Sequence, residues 1–177
     1  MMKSFSFFAI LMASSAGAST VTVTVDAKAN SSTGGVPFAT GVILTLGQLF
    51  TVSAGIADTW TLGDYFPYTR ETNADGLTNP YFGTWTQSGL TARFGSLVGQ
   101  VTGTGTLLDF GTSYSGLATA AGELFLYSWD QNYSDNSGSI DVTITTDKIS
   151  AVPLPAAGFL LIGALGGLTA LRRRKQV

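Results

Sequence analysis

The sequence contains no cysteine and no histidine among its 177 residues. The absence of cysteine excludes disulfides and thiol nucleophiles, and the absence of histidine excludes serine–histidine–aspartate triads. Together the two absences remove the usual ligands of zinc. If the chain passes through an oxidising compartment, it forms no disulfides there and depends on its core, or on a bound ion, for stability, which favours a metal.

Charged residues are also scarce, at 11% of the chain, whereas glycine accounts for 22 residues. The segment 19–150, called the body below, has four cationic and eleven acidic residues and therefore a net charge of −7. An acidic body of this kind disfavours nucleic acid as a partner and is compatible with cations as ligands.

The body lacks helical blocks of apolar residues, because its apolar side chains are spread among Thr, Ser and Gly. Thr20–Asp26 alternates Thr and Val, the period-two pattern of a strand with one buried face. Further strands, separated by Gly, Asn, Asp and Pro, are predicted at Gly41–Leu46, Leu49–Ala54, Thr59–Leu62, Ala92–Val101, Leu107–Phe110, Gly122–Trp129 and Ser139–Thr145. About eight short strands predict an all-β fold, an antiparallel β-sandwich.

Two connections in the body are predicted from their turn residues. Leu44–Phe50 is expected to form a hairpin with Gly47 and Gln48 as a two-residue turn that has Gly first. Asp64–Gly89 collects Tyr, Pro, Asn and Asp without a period, which predicts a long surface loop. Long loops often carry function.

Residues 1–18 have the layout of a cleavable signal peptide. Lys3 is followed by the apolar run Phe5–Met12 and then by small residues that end at Ala18, where cleavage is expected. The apolar run is too short to span a bilayer. The alternative is a buried N-terminal strand or helix.

Residues 151–177 are predicted to contain a transmembrane helix. Ala156–Leu171 is uncharged and would span about 24 Å as a helix, so Val152–Pro155 and snorkelling arginines must complete a hydrocarbon core of about 30 Å. The basic cluster Arg172–Lys175 should stay in the cytoplasm and leave the body outside. A helix packed on the body is the alternative, but the run has no polar face.

This tail resembles the VPLPA variant of the PEP-CTERM sorting tails of Gram-negative bacteria. The residues that carry the resemblance are Val152, Pro153, Leu154, Pro155 and Ala156, then Gly163, Gly166 and Gly167, then Arg172, Arg173, Arg174 and Lys175. The resemblance implies an exosortase-type membrane protease as partner, with cleavage near the proline-rich motif. It also implies a membrane-anchored precursor in the inner membrane and a mature protein at the cell surface or in extracellular polysaccharide.

The segment Asp130–Gly138 is the richest in oxygen ligands. It offers two carboxylates, two Asn side chains and backbone carbonyls, enough for a calcium ion, which takes six to eight oxygens. An EF-hand is excluded, because Asp135 lies where that loop needs glycine and strands flank the segment. The alternative is a hairpin loop whose Asp and Asn residues only bond to the backbone.

The body resembles the PA-IL-like family of bacterial galactose-binding lectins. The matching residues, in order, are Thr40–Val42, Gly47 and Gln48, Val52–Gly55, Asn73–Gly76, Leu97–Gly99, Gly122–Leu126, Asp130 and Asp135–Ser139. The resemblance implies a β-sandwich of the jelly-roll or galactose-binding-like type. It also implies that a calcium ion is bound before the last strand and holds two sugar hydroxyls. It assigns Asp130, Asp135 and Asn136 as side-chain ligands, with a loop ligand at Asn132 or Tyr133 and a backbone ligand near Trp60–Leu62.

One departure from that family concerns the sugar. The galactose-specific lectin places a His beside its ligand, and this chain has none; Tyr68, Asn73 and Gln87 are candidates to replace it, and no spacing selects among them. Trp60 or Trp85 is a candidate to stack on the apolar face of a sugar. The alternative for both tryptophans is a place in the core.

Three functions follow from these observations. The first is an exported, calcium-dependent carbohydrate-binding module that is not an enzyme, with a polysaccharide as partner. The second is a structural protein of the cell surface or exopolysaccharide matrix that binds no sugar. The third, a hydrolase that uses two carboxylates such as Asp75 and Asp130, requires the pair to lie about 5–9.5 Å apart.

Overall fold

The computed structural model describes residues 17–102 and 105–147. In these ranges the strands are β1 (Ser19–Asp26), β2 (Phe38–Leu44), β3 (Leu49–Ala54), β4 (Trp60–Tyr65), β5 (Tyr68–Thr72), β6 (Thr84–Gln87), β7 (Leu90–Arg93), β8 (Leu97–Val101), β9 (Leu108–Asp109), β10 (Ser113–Leu117), β11 (Gly122–Ser128) and β12 (Ser137–Thr146). A short 3₁₀ turn, Tyr133–Asp135, connects β11 to β12. The described part contains no helix long and apolar enough to cross a membrane.

The predicted signal peptide and sorting tail fall almost entirely on residues 1–16 and 148–177, outside the described residues. The export signal, the transmembrane helix and the sorting motif therefore stay predictions from the sequence.

The strands form two antiparallel sheets and a separate hairpin. One sheet has the order β10-β3-β12-β4-β5, with β1 also paired to β12; the other has the order β2-β11-β8-β9, and β6 pairs with β7. Among the described strands β12 is the longest, and it pairs with β1 over eight residues, from Ser139 to Thr146. The prediction of an all-β fold is confirmed.

The core lies between the two sheets. On β12, Ile140, Val142 and Ile144 alternate with more exposed residues and are almost fully buried, as the period-two pattern predicts. They belong to the same cluster as Leu124 and Leu126 of β11, from the opposite sheet. Burial of an aliphatic side chain of this size stabilises a fold by about 1.5–3 kcal/mol, so the sandwich is stabilised without disulfides.

The predicted hairpin at Leu44–Phe50 is wrong. Strand β2 pairs with β11 and β3 pairs with β10 and β12, so the connection crosses from one sheet to the other. Gln48 N donates to Thr45 O at 3.0 Å, and Gly47 (φ +78°) occupies the third position of this turn, where a positive φ favours glycine. Alternating apolar and polar residues on both sides of a turn predict two strands, but they do not show whether the two strands pair with each other.

The stretch Asp64–Gly89 is not a single loop, because it contains β5 and β6. Strand β5 pairs with β4 across the tip Phe66–Pro67, where the peptide bond is cis. Strand β5 is mostly exposed on both faces, and β6 has Trp85 as the one large apolar residue on its partly buried face. Neither strand therefore has the apolar alternation that identifies a strand in a sequence.

Two further differences concern strand limits. The predicted strand Ala92–Val101 is divided into β7 and β8 by a turn at Gly95, which has φ +78°. Strand β10 was not predicted; its five residues include a glycine and two serines, which have low strand propensity, and Tyr114 is its one residue packed on the core.

Candidate functional site

The loop between β11 and β12 is held in place near its start by hydrogen bonds to the backbone of Asp130. The backbone of Asp130 is held by two residues of the segment after β1: Thr33 Oγ1 donates to its carbonyl at 2.6 Å, and its N–H donates to Ser32 Oγ at 3.2 Å. Its side chain is only 3% exposed. Strand pairing at both ends of the loop, together with these bonds, fixes the position of the carboxylate.

Asp130 and Asn136 each have one buried oxygen without a hydrogen-bond partner in the described part of the chain. Asp130 Oδ1 accepts from Gln131 N at 2.8 Å, and Asn136 Nδ2 donates to Ala27 O at 3.2 Å, but Asp130 Oδ2 and Asn136 Oδ1 are unpaired. A buried acceptor without a donor costs about 1–3 kcal/mol, and more if it is charged. The two residues thus supply oxygens that a cation would satisfy.

Burial raises the pKa of the Asp130 carboxyl above its ordinary value. The Asn136 side chain, the backbone N–H groups at Gln131 and Asn132, and the charge of Arg70 offset part of this effect. A rise in pKa is the effect expected when burial disfavours the charged form of a carboxyl more than the surrounding groups stabilise it.

Asn132 is committed to the 3₁₀ turn. Its Oδ1 accepts from Ser134 N at 3.3 Å and Ser134 Oγ at 2.8 Å, as expected for a residue that caps a helical turn. Its Nδ2 donates to Asp135 Oδ1 at 3.1 Å. The side chain of Asn132 therefore orients Asp135, while the Asn132 oxygen is already bonded.

Asp135 faces a residue that the sequence did not single out. Arg70, on β5, donates through Nη2 to Asp135 Oδ2 and through Nε to Gly63 O at 3.1 Å. In this ion pair the side chain of Arg70 is 20% exposed and that of Asp135 is 38% exposed. The pairing of β4 with β5 shifts register between Thr61 and Asp64, and this irregularity contains Gly63.

A cavity of about 170 Å³ adjoins Asp130. Its apolar wall consists of Leu62, Leu77, Phe82 and Phe94, and its polar wall of Arg70, Asp130, Gln131 and Asn132. Cavities that bind small molecules combine apolar walls with a few polar groups in the same way. This cavity is small for a drug-sized ligand but of suitable size for part of a monosaccharide.

The donors at this loop are oxygens only. In the described ranges no group of three His, Cys, Asp or Glu side chains is close enough together to hold a metal. Asp130 and Asp135 are accompanied by the amide oxygen of Asn136, a mixed set of carboxylate and neutral oxygens that suits calcium better than zinc or copper.

Tyr68 and Asn73, both predicted to contact a ligand, line a different and larger groove of about 620 Å³. Tyr68 is partly exposed and stacks on Tyr81 with ring centroids 4.8 Å apart. Asn73 is used in local bonds, since its Oδ1 accepts from Asp75 N at 2.9 Å and its Nδ2 donates to Ile56 O at 3.1 Å. Leu77 is common to this groove and to the cavity at Asp130.

Trp60 and Trp129 are buried, and Trp85 is partly buried. Trp60 is 1% exposed and its Nε1 donates to Gly95 O at 3.0 Å, so the core alternative is confirmed for this residue. Trp85, which was predicted to contact a ligand, packs on Trp129 at 4.8 Å and stacks on Phe94 at 6.3 Å. Of these aromatic residues, Phe94 lines the cavity at Asp130, whereas Trp85 does not and instead packs against the Phe94 ring. Gln87 ends β6, in the same hairpin as Trp85.

Asp75 and Asp130, the carboxylate pair considered for hydrolysis, line different cavities. Asp75 Oδ1 accepts from Thr112 N at 2.7 Å and its Oδ2 from Thr112 Oγ1 at 3.1 Å. These bonds join the turn after β5 to the turn before β10. The geometry gives Asp75 a structural task.

Comparison with known proteins gives one type of match. No protein-family profile matches the chain, and no curated protein matches it. A solved structure described as the EclA N-terminal domain, a PllA-like lectin, superposes with a TM-score of 0.51 at 22% sequence identity. The match covers 72% of this chain and 95% of that chain. The body therefore has the fold of that lectin domain.

Proposed function

We propose that the body is a carbohydrate-binding module that holds a calcium ion at Asp130, Asp135 and Asn136. The observation that carries the proposal is the pair of buried oxygens, Asp130 Oδ2 and Asn136 Oδ1, that have no partner within the described ranges. A lectin-like fold supports the same proposal.

The residues fit the ion. Asp135, adjacent to Asn136 in the chain, supplies a second carboxylate in the same loop. Burial is the main cause of the raised pKa of Asp130, and a divalent cation bound there would lower it. The lack of a side chain at Gly63 lets the Asp135 carboxylate lie against the backbone of β4, since a Cβ at this position would lie 2.5 Å from Asp135 Oδ2. The resemblance of the loop to the galactose-binding lectins points to the same ion.

The protein's own residues would bind and orient a sugar beside the ion. Calcium, when bound, supplies a Lewis acid that accepts a pair of sugar hydroxyls. Phe82 and Phe94 offer apolar surface for the C–H face of a sugar ring, while Gln131 offers hydrogen bonds at the other wall. Tyr68, in the neighbouring groove, is placed to contact further units of a polysaccharide rather than the first one.

The test uses thermal unfolding of the full-length chain in a detergent without sugar groups, in excess CaCl2 and then in EDTA. Calcium at a hundred times its dissociation constant should stabilise the protein by about 2.7 kcal/mol, a shift of roughly 10 °C for a domain of this size. Asp135→Ala should abolish the shift. Asp147→Asn, which removes one exposed negative charge directly after β12, is the matched control and should retain it.

Sugar binding is measured next, on an array of immobilised polysaccharides with and without calcium. Retention that requires both calcium and Asp135 supports the carbohydrate-binding module. A calcium shift without retention of any saccharide indicates the structural matrix protein instead. The absence of a calcium shift contradicts the metal site.

We further propose that the body is exported and that its tail is processed at Val152–Ala156 by an exosortase-type protease. The signal layout of residues 1–18 and the basic end Arg172–Arg174 support this proposal. Mass spectrometry of the mature protein tests it. Termini at Ser19 and near Pro155 are expected, and an intact tail ending at Val177 in most molecules contradicts the processing.

A further inference from the structure

The candidate calcium site already contains a cation that belongs to the chain. Arg70 pairs with Asp135 through Nη2 and donates to Gly63 O through Nε, so its guanidinium bonds to two oxygens at the edge of the site. Its charge also acts on Asp130, where it offsets a small part of the rise in pKa that burial causes. The position of Arg70 was not predicted from the sequence, because Asp135 lies 65 residues away.

A divalent ion and Arg70 compete for the same negative charge. If the ion is coordinated by Asp135, it must share that carboxylate with the guanidinium or displace it. In both cases two positive charges approach within several ångströms, and repulsion at such distances remains significant for partly buried groups. Of the two members of the ion pair, Arg70 is the more buried, so solvent screens it only in part.

We propose that Arg70 competes with divalent cations for Asp135 and thereby lowers the affinity of the site for them. This inference rests on the proposed calcium site. It places the site among those that bind calcium with dissociation constants of about 0.1–1 mM, the range typical of extracellular modules. Such a site is filled where calcium is abundant and is closed by the arginine where calcium is scarce.

The opposite role is a distinct alternative. Arg70 would be a positioning residue if its main effect were to hold Asp135 and Gly63 O in the orientation that the ion needs. If Arg70 is a positioning residue, removal of its charge weakens calcium binding. If Arg70 is a competitor, removal of its charge strengthens calcium binding. The sign of the change therefore decides between the two roles.

Isothermal titration of CaCl2 into the full-length chain measures this sign. Arg70→Gln should bind calcium about tenfold more tightly than the parent chain, because it removes one repulsive charge and keeps a polar side chain. Arg70→Lys retains the charge and should stay within about threefold of the parent. Arg93→Gln removes an equal charge from the cavity at Asp75 and should leave the affinity unchanged.

The outcomes separate this inference from the proposed function. Tighter calcium binding by Arg70→Gln, but not by Arg70→Lys or Arg93→Gln, supports the role of Arg70 as a competitor. Equal or weaker binding by Arg70→Gln, with the parent chain still binding calcium, overturns it and leaves the calcium site intact. If neither the parent nor Arg70→Gln binds calcium, both proposals fail. Melting temperatures in EDTA check that each variant is folded.

Discussion

Gly63, at the irregularity in the pairing of β4 with β5, lies directly against the carboxylate of Asp135 in the 3₁₀ turn. A Cβ built on Gly63 would lie 2.5 Å from Asp135 Oδ2, and 2.8 Å from Arg70 Nη2. Gly63 also has φ +82°, a conformation that side chains with a Cβ rarely adopt. Space and backbone conformation together require glycine at this position.

Gly63→Ala is expected to destabilise the protein by about 1–3 kcal/mol and to abolish the calcium-dependent rise in melting temperature. The reason is that the new methyl group displaces Asp135 and Arg70. Gly47→Ala is the matched control: Gly47 has a similar φ of +78° but nothing within 4 Å of its Cβ position. Thermal unfolding with calcium and with EDTA measures both variants, and a lost calcium response in Gly47→Ala as well would contradict the steric explanation.

Asp130→Asn should raise the stability measured in EDTA by roughly 1 kcal/mol and remove the response to calcium. The substitution replaces a buried charge that lacks a partner by a neutral amide, which still accepts from Gln131 N. Urea unfolding in EDTA gives the stability. Asp147→Asn, an exposed charge removal, should change neither quantity. A less stable Asp130→Asn variant in EDTA would mean that the carboxylate already has a compensating partner.

Asp75→Ala should destabilise the protein by about 1.5–3 kcal/mol without changing the calcium shift, because it removes both acceptors of Thr112. Thr112→Val removes only the hydroxyl bond and should cost about 1 kcal/mol. Chemical denaturation compares the two. Loss of the calcium shift in Asp75→Ala would indicate that Asp75 acts on the site at Asp130.

Stability should depend on pH through Asp109, whose carboxyl lies near Asp75. Partial burial raises the pKa of Asp109, with Asp75 adding to the rise and Ser96 and Arg93 opposing it. A raised pKa in the folded state favours folding fully below the unfolded value of about 3.8, and this contribution is lost as pH rises through the folded value.

Asp109→Asn removes that dependence and can still accept from Ser96. The melting temperature of the variant minus that of the parent should therefore increase between about pH 3 and pH 7, measured in EDTA. A constant difference over this range would show that Asp109 does not contribute to the pH dependence.

The sequence predicted much of the fold because the relevant signals are local. Alternation of Thr and Val in Thr20–Asp26 identified β1, and the pattern of Ser139–Thr145 identified all but the ends of β12. Strands β5, β6 and β10 were missed, since their side chains are mostly exposed or small and leave no period-two signal.

The candidate site was predicted in part for the same reason. Asp130, Asp135 and Asn136 are near neighbours in the chain, and the density of oxygen ligands among them is visible in the sequence. Which of their oxygens lack partners is not visible in the sequence, because it depends on where Ala27 O and Gln131 N lie relative to the two side chains.

By itself the sequence determined the all-β class, the acidic body without disulfides and the kinds of ligand in the loop before β12, because composition and short-range pattern specify these. Only the tertiary structure decided that Arg70 pairs with Asp135, that Trp60 belongs to the core and that Asp75 and Asp130 line different cavities. These relationships join residues distant in the chain. They depend on strand order and register, and the same local pattern of apolar and polar residues is compatible with several different strand orders and registers.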